Sequence, residues 1–274
     1  MADRSGAGAG AVRVYLLLVA MWTRAAWQYR TSLVLLGMAQ VAVTALDVAA
    51  IGLIFAHIPS LAGFGLAEVM FLYGTSATAF ALSDLVLGSV DRLGRHIRAG
   101  TLDVMLIRPA GTLVQVAADR FSPRRLGKLL PGVAVLALAL PELDVAWTPG
   151  RVLLVPTMVA SGTVIYGAIW VLGAAFQFAA TDAAEVQNAF TYGGAFLTKY
   201  PLIIYGRDAL RALTWIVPLA FVNWQPALYV LSRPDPLGLP PALRFASPAV
   251  AATLALLAGL AWRAGVRHYR STGS

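Results

Sequence analysis

Long apolar runs dominate this chain, and they constrain its fold more than any other feature. A helix needs about 20 apolar residues to cross the roughly 30 Å hydrocarbon core of a bilayer at 1.5 Å per residue. Five runs reach or approach that length, at residues 33–55, 66–88, 126–143, 152–178 and 246–266. A further apolar stretch, 186–231, is long enough for two crossings. These runs predict an all-α integral membrane protein.

The composition excludes the main soluble classes. Of the 274 residues, 59% are hydrophobic and only 12% are charged, about half the charged fraction of soluble chains. Mean hydropathy is +0.73. Basic residues give a net charge of +8, but they flank apolar runs and do not interleave with polar and aromatic residues, which argues against nucleic-acid binding. Cysteine is absent, so there is no disulfide framework or thiolate metal site.

The first 32 residues do not resemble a cleaved signal peptide, because arginines interrupt the apolar pattern. Apolar positions between 12 and 30, Trp22 among them, recur at helical spacing, and Trp22 and Trp27 should lie at headgroup depth. This pattern predicts an amphipathic helix over 12–30 that lies along the membrane interface.

Basic residues determine the expected topology. Three segments hold 15 of the 21 Lys and Arg: the N-terminal segment, the loop after the second span, and the C-terminal tail, which includes Arg270. Six spans place all three on the cytoplasmic side, with both termini there, whereas seven would not. One half of 186–231 is therefore expected not to cross.

Prolines distinguish the two halves of that stretch. Residues 186–204 form a 19-residue apolar segment whose single charge, Lys199, is near one end. Pro218 and Pro226 break the second half, and broken backbone at membrane depth is tolerated only against protein or a wet cavity. We therefore predict that 186–204 is the fifth span and that 208–231 forms two re-entrant half-helices. The alternative, with 212–231 crossing, would return three basic residues to the cytoplasm.

The loop at 89–125 is the most informative segment outside the spans. Arg92, Arg95 and Arg98 recur every three residues and should line one helical face, opposite Leu93 and Ile97. Gly100 is expected to end that helix, and Thr101 to cap a second short helix over 102–107 that ends before Pro109. Such a loop is either a solvated basic loop or a docking surface for a cytoplasmic partner.

The run from Gly94 to Pro109, with its Gly-Thr-Leu-Asp core and Arg-Pro ending, resembles a signature of the type-2 membrane permeases of bacterial ATP-binding-cassette (ABC) transporters. The stretch from Tyr200 to Ala227 and the ending that begins at Trp262 are similar to later landmarks of that group. The resemblance covers the layout of nearly the whole chain. It implies an exporter-like permease in the bacterial cytoplasmic membrane, with re-entrant half-helices after the fifth span.

The same resemblance implies that the loop carries the helix that contacts an ABC ATPase. The matching residues are Gly100, Thr101, Leu102, Asp103, Leu106, Arg108 and Pro109. Leu102 and Leu106 are one helical turn apart, so we expect both to face the ATPase. No Gly-x-x-x-x-Gly-Lys-Ser/Thr loop exists in the chain, so ATP and Mg²⁺ should bind to the partner and no cofactor to this chain.

Two functions of different class follow. The first is the non-catalytic permease of an ATP-driven exporter, assembled with two ATPase copies and a second permease, identical or homologous, in membrane lipid. Its substrate would be hydrophobic or amphipathic (a drug, lipid or peptide), with Asp47, Trp170, Phe176 and Gln177 as candidate residues of the path. The second is an ion-coupled secondary transporter that uses Asp47, which is about 21 Å into its span.

Overall fold

The computed structural model describes residues 4–180 and 184–269; Arg270 of the basic tail lies outside them. The described residues form helices, turns and one isolated β-bridge, so the all-α prediction is confirmed. The α-helices are α1 (Arg4–Trp27), α2 (Arg30–His57), α3 (Leu66–Leu87), α4 (Leu93–Arg98), α5 (Thr101–Leu106), α6 (Thr112–Ala118), α7 (Leu126–Ala139), α8 (Pro149–Gln177), α9 (Ala184–Asn188), α10 (Gly194–Leu197), α11 (Arg207–Trp215), α12 (Trp224–Val230) and α13 (Ser247–His268).

Four helical segments of the described chain are long and apolar enough to cross a membrane. They are α2, α3 together with its continuation to Arg98, α8 and α13. The shorter α7 follows the 3₁₀ turn Pro123–Arg125 and leads into the 3₁₀ turn Leu140–Glu142, and it occupies most of the predicted third span, 126–143. The chain is therefore a multi-pass membrane protein.

Helix α3 is the centre of the bundle, and most of its side chains are buried against α7 and α8. Glycines allow the closest approach: a Cβ at Gly74 would be 2.6 Å from the backbone nitrogen of Leu136 in α7. Helix α8 packs along both α3 and α13. In contrast, only 6% of the apolar window of α2 is buried, so most of that helix is uncovered within the chain.

Contacts between distant segments define two ends of the molecule. At the first, which we call the basic end, Tyr15 of α1 donates a hydrogen bond to the carbonyl of Val86 (2.9 Å), and Phe178 contacts Trp262 of α13. At the opposite end, Arg233 forms an ion pair with Glu68 (2.7 Å). The loop 88–125 and the ends of α1 and α13 thus share the basic end.

Two elements differ from the sequence-based predictions. The N-terminal helix spans Arg4–Trp27, and the predicted end at residue 30 is wrong, because a turn separates it from α2. The predicted continuous helix over 186–204 is also wrong: α9, a π-helical segment (Ala189–Gly193) and α10 end at Leu197. Pro201 lacks a backbone donor and disfavours a helical Tyr200, so the chain resumes only as the 3₁₀ turn Leu202–Tyr205.

Proline also interrupts the second half of that stretch. Helix α11 ends at Trp215, three residues before Pro218, and α12 begins only at Trp224. The start of α11 lies at the opposite end, where Arg207 donates to the carbonyl of Pro236 (2.9 Å). The connection between the helices lies inside the bundle, where Asn223 donates to the carbonyls of Leu72 and Thr198 (both 2.9 Å).

Candidate functional site

The loop 88–125 folds into a compact unit of short helices at the basic end. Its buried side chains, among them Leu93, Ile97 and Leu102, form one apolar cluster with residues from the ends of α8 and α13, including Trp262. Arg95 and Arg98 remain exposed on the other face of α4, as the sequence predicts. Burial of this extent rules out a freely solvated loop, and we call the unit 88–125 the coupling module.

A sharp turn separates α4 from α5 within the coupling module. Gly100 has a φ of 64°, a left-handed conformation that glycine adopts without a Cβ penalty. The expected cap by Thr101 is wrong: Gly100 precedes the helix, and the Thr101 hydroxyl lies 2.9 Å from Nδ1 of His96. On its other side, Nε2 of His96 is 3.4 Å from the carboxylate of Asp119.

The surroundings of Asp119 give this corner an electrostatic bias. Burial alone would raise the pKa of Asp119, but its hydrogen bond to His96 and the charges of His96 and Arg120 hold that pKa below its usual value. The carboxylate is therefore ionised at neutral pH and ties α4 to the end of α6.

The two leucines of α5 have different environments. Leu102 is 0% exposed and belongs to the apolar cluster, so the expectation that it faces a partner is wrong. Leu106 is 36% exposed, Val104 49% and Ile107 84%. A helix of six residues is too short for its apolar periodicity to predict which of the two leucines is buried and which is exposed. The outward surface, which we call the exposed strip, consists of Val104, Leu106, Ile107, Arg108 and Pro109.

A side chain from α6 fixes the end of α5. The buried Gln115 donates to the carbonyls of Met105 and Ala110, both at 2.8 Å, so carbonyls at both ends of the exposed strip are satisfied by one amide. Asp103, another residue expected in this segment, is half-buried. Burial of Tyr269 and the carboxylate of Asp103 both raise the pKa of Tyr269.

Gln177, at the end of α8, connects the coupling module to the bundle. Its side chain is fully buried; Oε1 accepts from the backbone nitrogen of Gly94 (2.6 Å), and Nε2 donates to Gln187. The sequence suggested Gln177 as part of a substrate path, whereas the structure places it as a link between α8 and α4. A glutamine side chain can satisfy both partners at once because its amide both donates and accepts.

A second connection involves Asp84, which the sequence analysis did not single out. Its buried carboxylate, near the end of α3, is 3.3 Å from Nε of Arg125 and 2.9 Å from Nζ of Lys128. The arginine is the last residue of the coupling module, and the lysine is in the first turn of α7. Ion pairs of this kind fix the relative position of the elements that they join.

The remaining path candidates do not converge on one site. Trp170 is fully buried, 5.0 Å from the ring of Phe80. Phe176 is 57% exposed and borders an apolar cavity of about 410 Å³ with Ile169, Phe190 and Ile216.

Asp47 lies elsewhere and already has partners. Its carboxylate accepts from Nζ of Lys199 (2.7 Å) and from the hydroxyl of Tyr73 (2.9 Å). Two lone, opposite charges in separate apolar runs are a signal that could have predicted this pair, because an isolated charge in a membrane needs a partner. Within the described residues no group of three or more His, Asp and Glu side chains could hold a metal ion.

Comparison with known protein families identifies a match over most of the chain. A family model described as "ABC-2 family transporter protein" matches residues 41–273, which includes the coupling module and all helices from α3 onward. No curated protein matches the chain, and no solved structure does.

Proposed function

Since this chain belongs to the ABC-2 family of transporter proteins, we propose that it is the permease of an ATP-driven exporter whose separate ATPase docks on the exposed strip. Such a family implies an ABC ATPase partner. The observation that carries the docking proposal is the contrast within α5, where Ile107 and Val104 are exposed while Leu102 anchors the helix to the bundle. An apolar strip held rigidly at a protein surface is typical of an interaction site.

Two rigid connections would transmit movement of the ATPase to the membrane helices. Gln177 joins the coupling module to α8, and Asp84 joins the end of α3 to the start of α7 through Arg125 and Lys128. Packed helices and hydrogen-bonded side chains carry such displacements as rigid bodies. Closure of the ATPase subunits on binding ATP would therefore tilt α3, α7 and α8 together.

We further propose six crossings, with the basic end in the bacterial cytoplasm. Support comes from α1, the coupling module and the end of α13, which lie together and carry most of the basic residues. Helix α11 begins near Pro236 and α12 ends next to Arg233, which pairs with Glu68. The start of α11 and the end of α12 therefore both lie at the opposite end of the molecule, as expected for a re-entrant pair that enters from outside.

The substrate class we propose is hydrophobic or amphipathic. The apolar cavity at Phe176 and the uncovered surface of α2 would give a substrate many apolar contacts and few polar ones. A second permease, identical or homologous, would cover part of α2 and complete the path. Two ATPases would then act on two coupling modules.

The ion-coupled alternative depends on Asp47 as an exchangeable cation site. The carboxylate already accepts a hydrogen bond from Nζ of Lys199 in the same chain, at 2.7 Å. A coupling ion would have to displace that ammonium group. The pair therefore favours a structural role for Asp47 and the ATP-driven proposal.

Recovery of the ATPase tests the docking proposal. The tagged chain is purified from its native membrane, and the co-purifying nucleotide-binding subunit is quantified for the original chain and for Ile107→Glu. We expect at least a tenfold loss, because burying a charge at a central apolar contact typically costs more than 1.4 kcal/mol.

Arg263→Gln is the matched control, since it changes the charge by the same amount at an exposed position of the basic end. Equal ATPase recovery from Ile107→Glu and Arg263→Gln would exclude the exposed strip as the docking surface. Absence of any nucleotide-binding subunit from the original preparation would contradict the proposed function itself.

A further inference from the structure

A cavity of about 460 Å³ lies between α1 and the coupling module. Trp22 of α1 forms one wall, and Arg92, Arg95, Arg108 and Arg120 line the rest. We call this space the arginine cavity. Its volume is sufficient for a small polar group with a glycerol-sized substituent and lies in the range of ligand sites.

The charges around the arginine cavity are not balanced. The single carboxylate that borders it, Asp119, is already paired with His96. Among the described residues, Arg95, Arg108 and Arg120 form no ion pair and no side-chain hydrogen bond. Guanidinium groups on a solvated loop would separate into water, whereas these border one half-open cavity. Such an arrangement attracts an anion.

The conformation of Arg120 supports this interpretation. Its φ is 47°, a left-handed backbone that is uncommon for a residue with a long side chain. Arg120 follows directly on Asp119, whose hydrogen bond to His96 holds the turn in place. Unfavourable conformations of this kind tend to persist where they place a functional side chain.

The position of α1 indicates which kind of anion can reach the arginine cavity. One face of α1 carries the exposed apolar residues Leu16, Leu17 and Met21, and Trp27 and Tyr29 follow at its end. Uncovered apolar residues next to aromatic ones are typical of a helix in the headgroup region of a bilayer. Trp22, on the same helix, brings the arginine cavity to that depth.

We propose that the arginine cavity binds the phosphate group of an anionic phospholipid from the cytoplasmic leaflet. Arginine binds phosphate oxygens in a bidentate manner, and basic pockets next to membrane helices on this side commonly bind anionic headgroups. Because Arg108 also belongs to the exposed strip, a bound lipid would connect α1 to the ATPase docking surface. The inference rests on the proposed function only for the cytoplasmic orientation of the basic end.

Site-specific fluorescence tests this binding directly. The chain has no native cysteine, so Ala99→Cys, at the cavity wall, can carry a single bimane label. The labelled full-length chain, in neutral detergent and without its ATPase, is titrated with short-chain phosphatidylglycerol, short-chain phosphatidylcholine and glycerol 3-phosphate. We expect a saturable response to phosphatidylglycerol alone.

Variants locate the site. Arg95→Gln and Arg120→Gln should each weaken the binding of phosphatidylglycerol about fivefold, the contribution expected of one arginine at an anionic surface. Arg263→Gln, which removes an exposed arginine of the basic end outside the cavity, should leave it unchanged. If Arg120→Gln fails to fold, Arg95→Gln, at an exposed helical position, provides the same comparison.

Each other outcome overturns the assignment in a different way. An equal response to phosphatidylcholine would show that the label reports the detergent environment, and equal binding of glycerol 3-phosphate would indicate a soluble phosphate compound. No response to any of the three compounds would show that the arginine cavity does not bind a phosphate group. None of these results affects ATPase recovery, which tests the proposed function separately.

Discussion

Individual residues of the coupling module have different structural roles that their spacing in the sequence does not predict. Leu102 and Leu106 are four positions apart, yet Leu102 is inside the apolar cluster and Leu106 belongs to the exposed strip. A residue that is buried stabilises the module, whereas an exposed apolar residue is available to a partner.

We predict that stability and ATPase binding separate at these positions. Leu102→Ala should lower the free energy of unfolding of the purified chain by about 2–5 kcal/mol, because it leaves a cavity in a packed cluster. Ile107→Ala should change it by less than about 0.5 kcal/mol, since the side chain is 84% exposed, while reducing ATPase recovery. Denaturation in detergent measures the first effect, and equal destabilisation by both variants would contradict the assignment.

The membrane ion pair gives a second prediction at this scale. Asp47→Asn and Lys199→Met each leave one charge without its partner, whereas the double variant removes both. We expect a coupling energy of about 1–3 kcal/mol from a double-mutant cycle of unfolding free energies. ATP-dependent transport should persist in the double variant. Transport that collapses on dissipating the proton gradient at constant ATP would favour the ion-coupled alternative.

Secondary-structure elements in this protein depend on close backbone approach. At Gly74 in α3 a side chain would meet the backbone of α7, and at Gly132 in α7 it would be 3.1 Å from the backbone nitrogen of Thr78. Two glycines, one on each helix, therefore set the distance between α3 and α7. Small residues are a common means of helix association where lipid provides no hydrophobic driving force.

Substitution of these glycines tests that packing. Gly74→Ala should destabilise the chain by about 1–3 kcal/mol, because a Cβ cannot be accommodated without moving α7. Gly259→Ala in α13 is the matched control: nothing lies within 4 Å of its Cβ, so it should be neutral or stabilise by up to about 1 kcal/mol. Thermal unfolding of both variants measures the difference, and identical midpoints would show that α7 is loosely packed.

At the scale of the whole molecule, long helices connect the basic end to the opposite end. Helix α8 extends from Pro149, near the opposite end, where Arg151 donates to Ser232, to Gln177, which contacts the coupling module. Helix α13 runs beside it over most of its length. A displacement of the coupling module can therefore reach α12, which contacts α8, through long helices.

Thiol accessibility tests the topology at this scale. Single cysteines at Asp208 and Ser232 should both react with a membrane-impermeant reagent applied to intact cells, because α11 starts and α12 ends at the same end of the molecule. The absence of native cysteine removes background labelling. Labelling of Ser232→Cys from outside and of Asp208→Cys only from the cytoplasm would show instead that 212–231 crosses.

Hydropathy and local backbone chemistry were sufficient for much of this fold. The positions of α2, α3, α8 and α13 follow from apolar length, since a membrane helix satisfies its own backbone hydrogen bonds and needs no partner to be defined. The break at Gly100 and the burial of Leu93 and Ile97 follow from glycine geometry and helical spacing. These properties depend on neighbours within a few positions of the chain.

Tertiary structure alone decided how distant segments meet. Asp47 and Lys199 are 152 positions apart, and only packing brings their side chains to 2.7 Å. The inward side of a six-residue helix and the arginine cavity likewise depend on contacts between separate elements. The physical reason is that periodicity records which residues are apolar, whereas the choice of neighbour is made by the shape and charge of the surfaces that pack together.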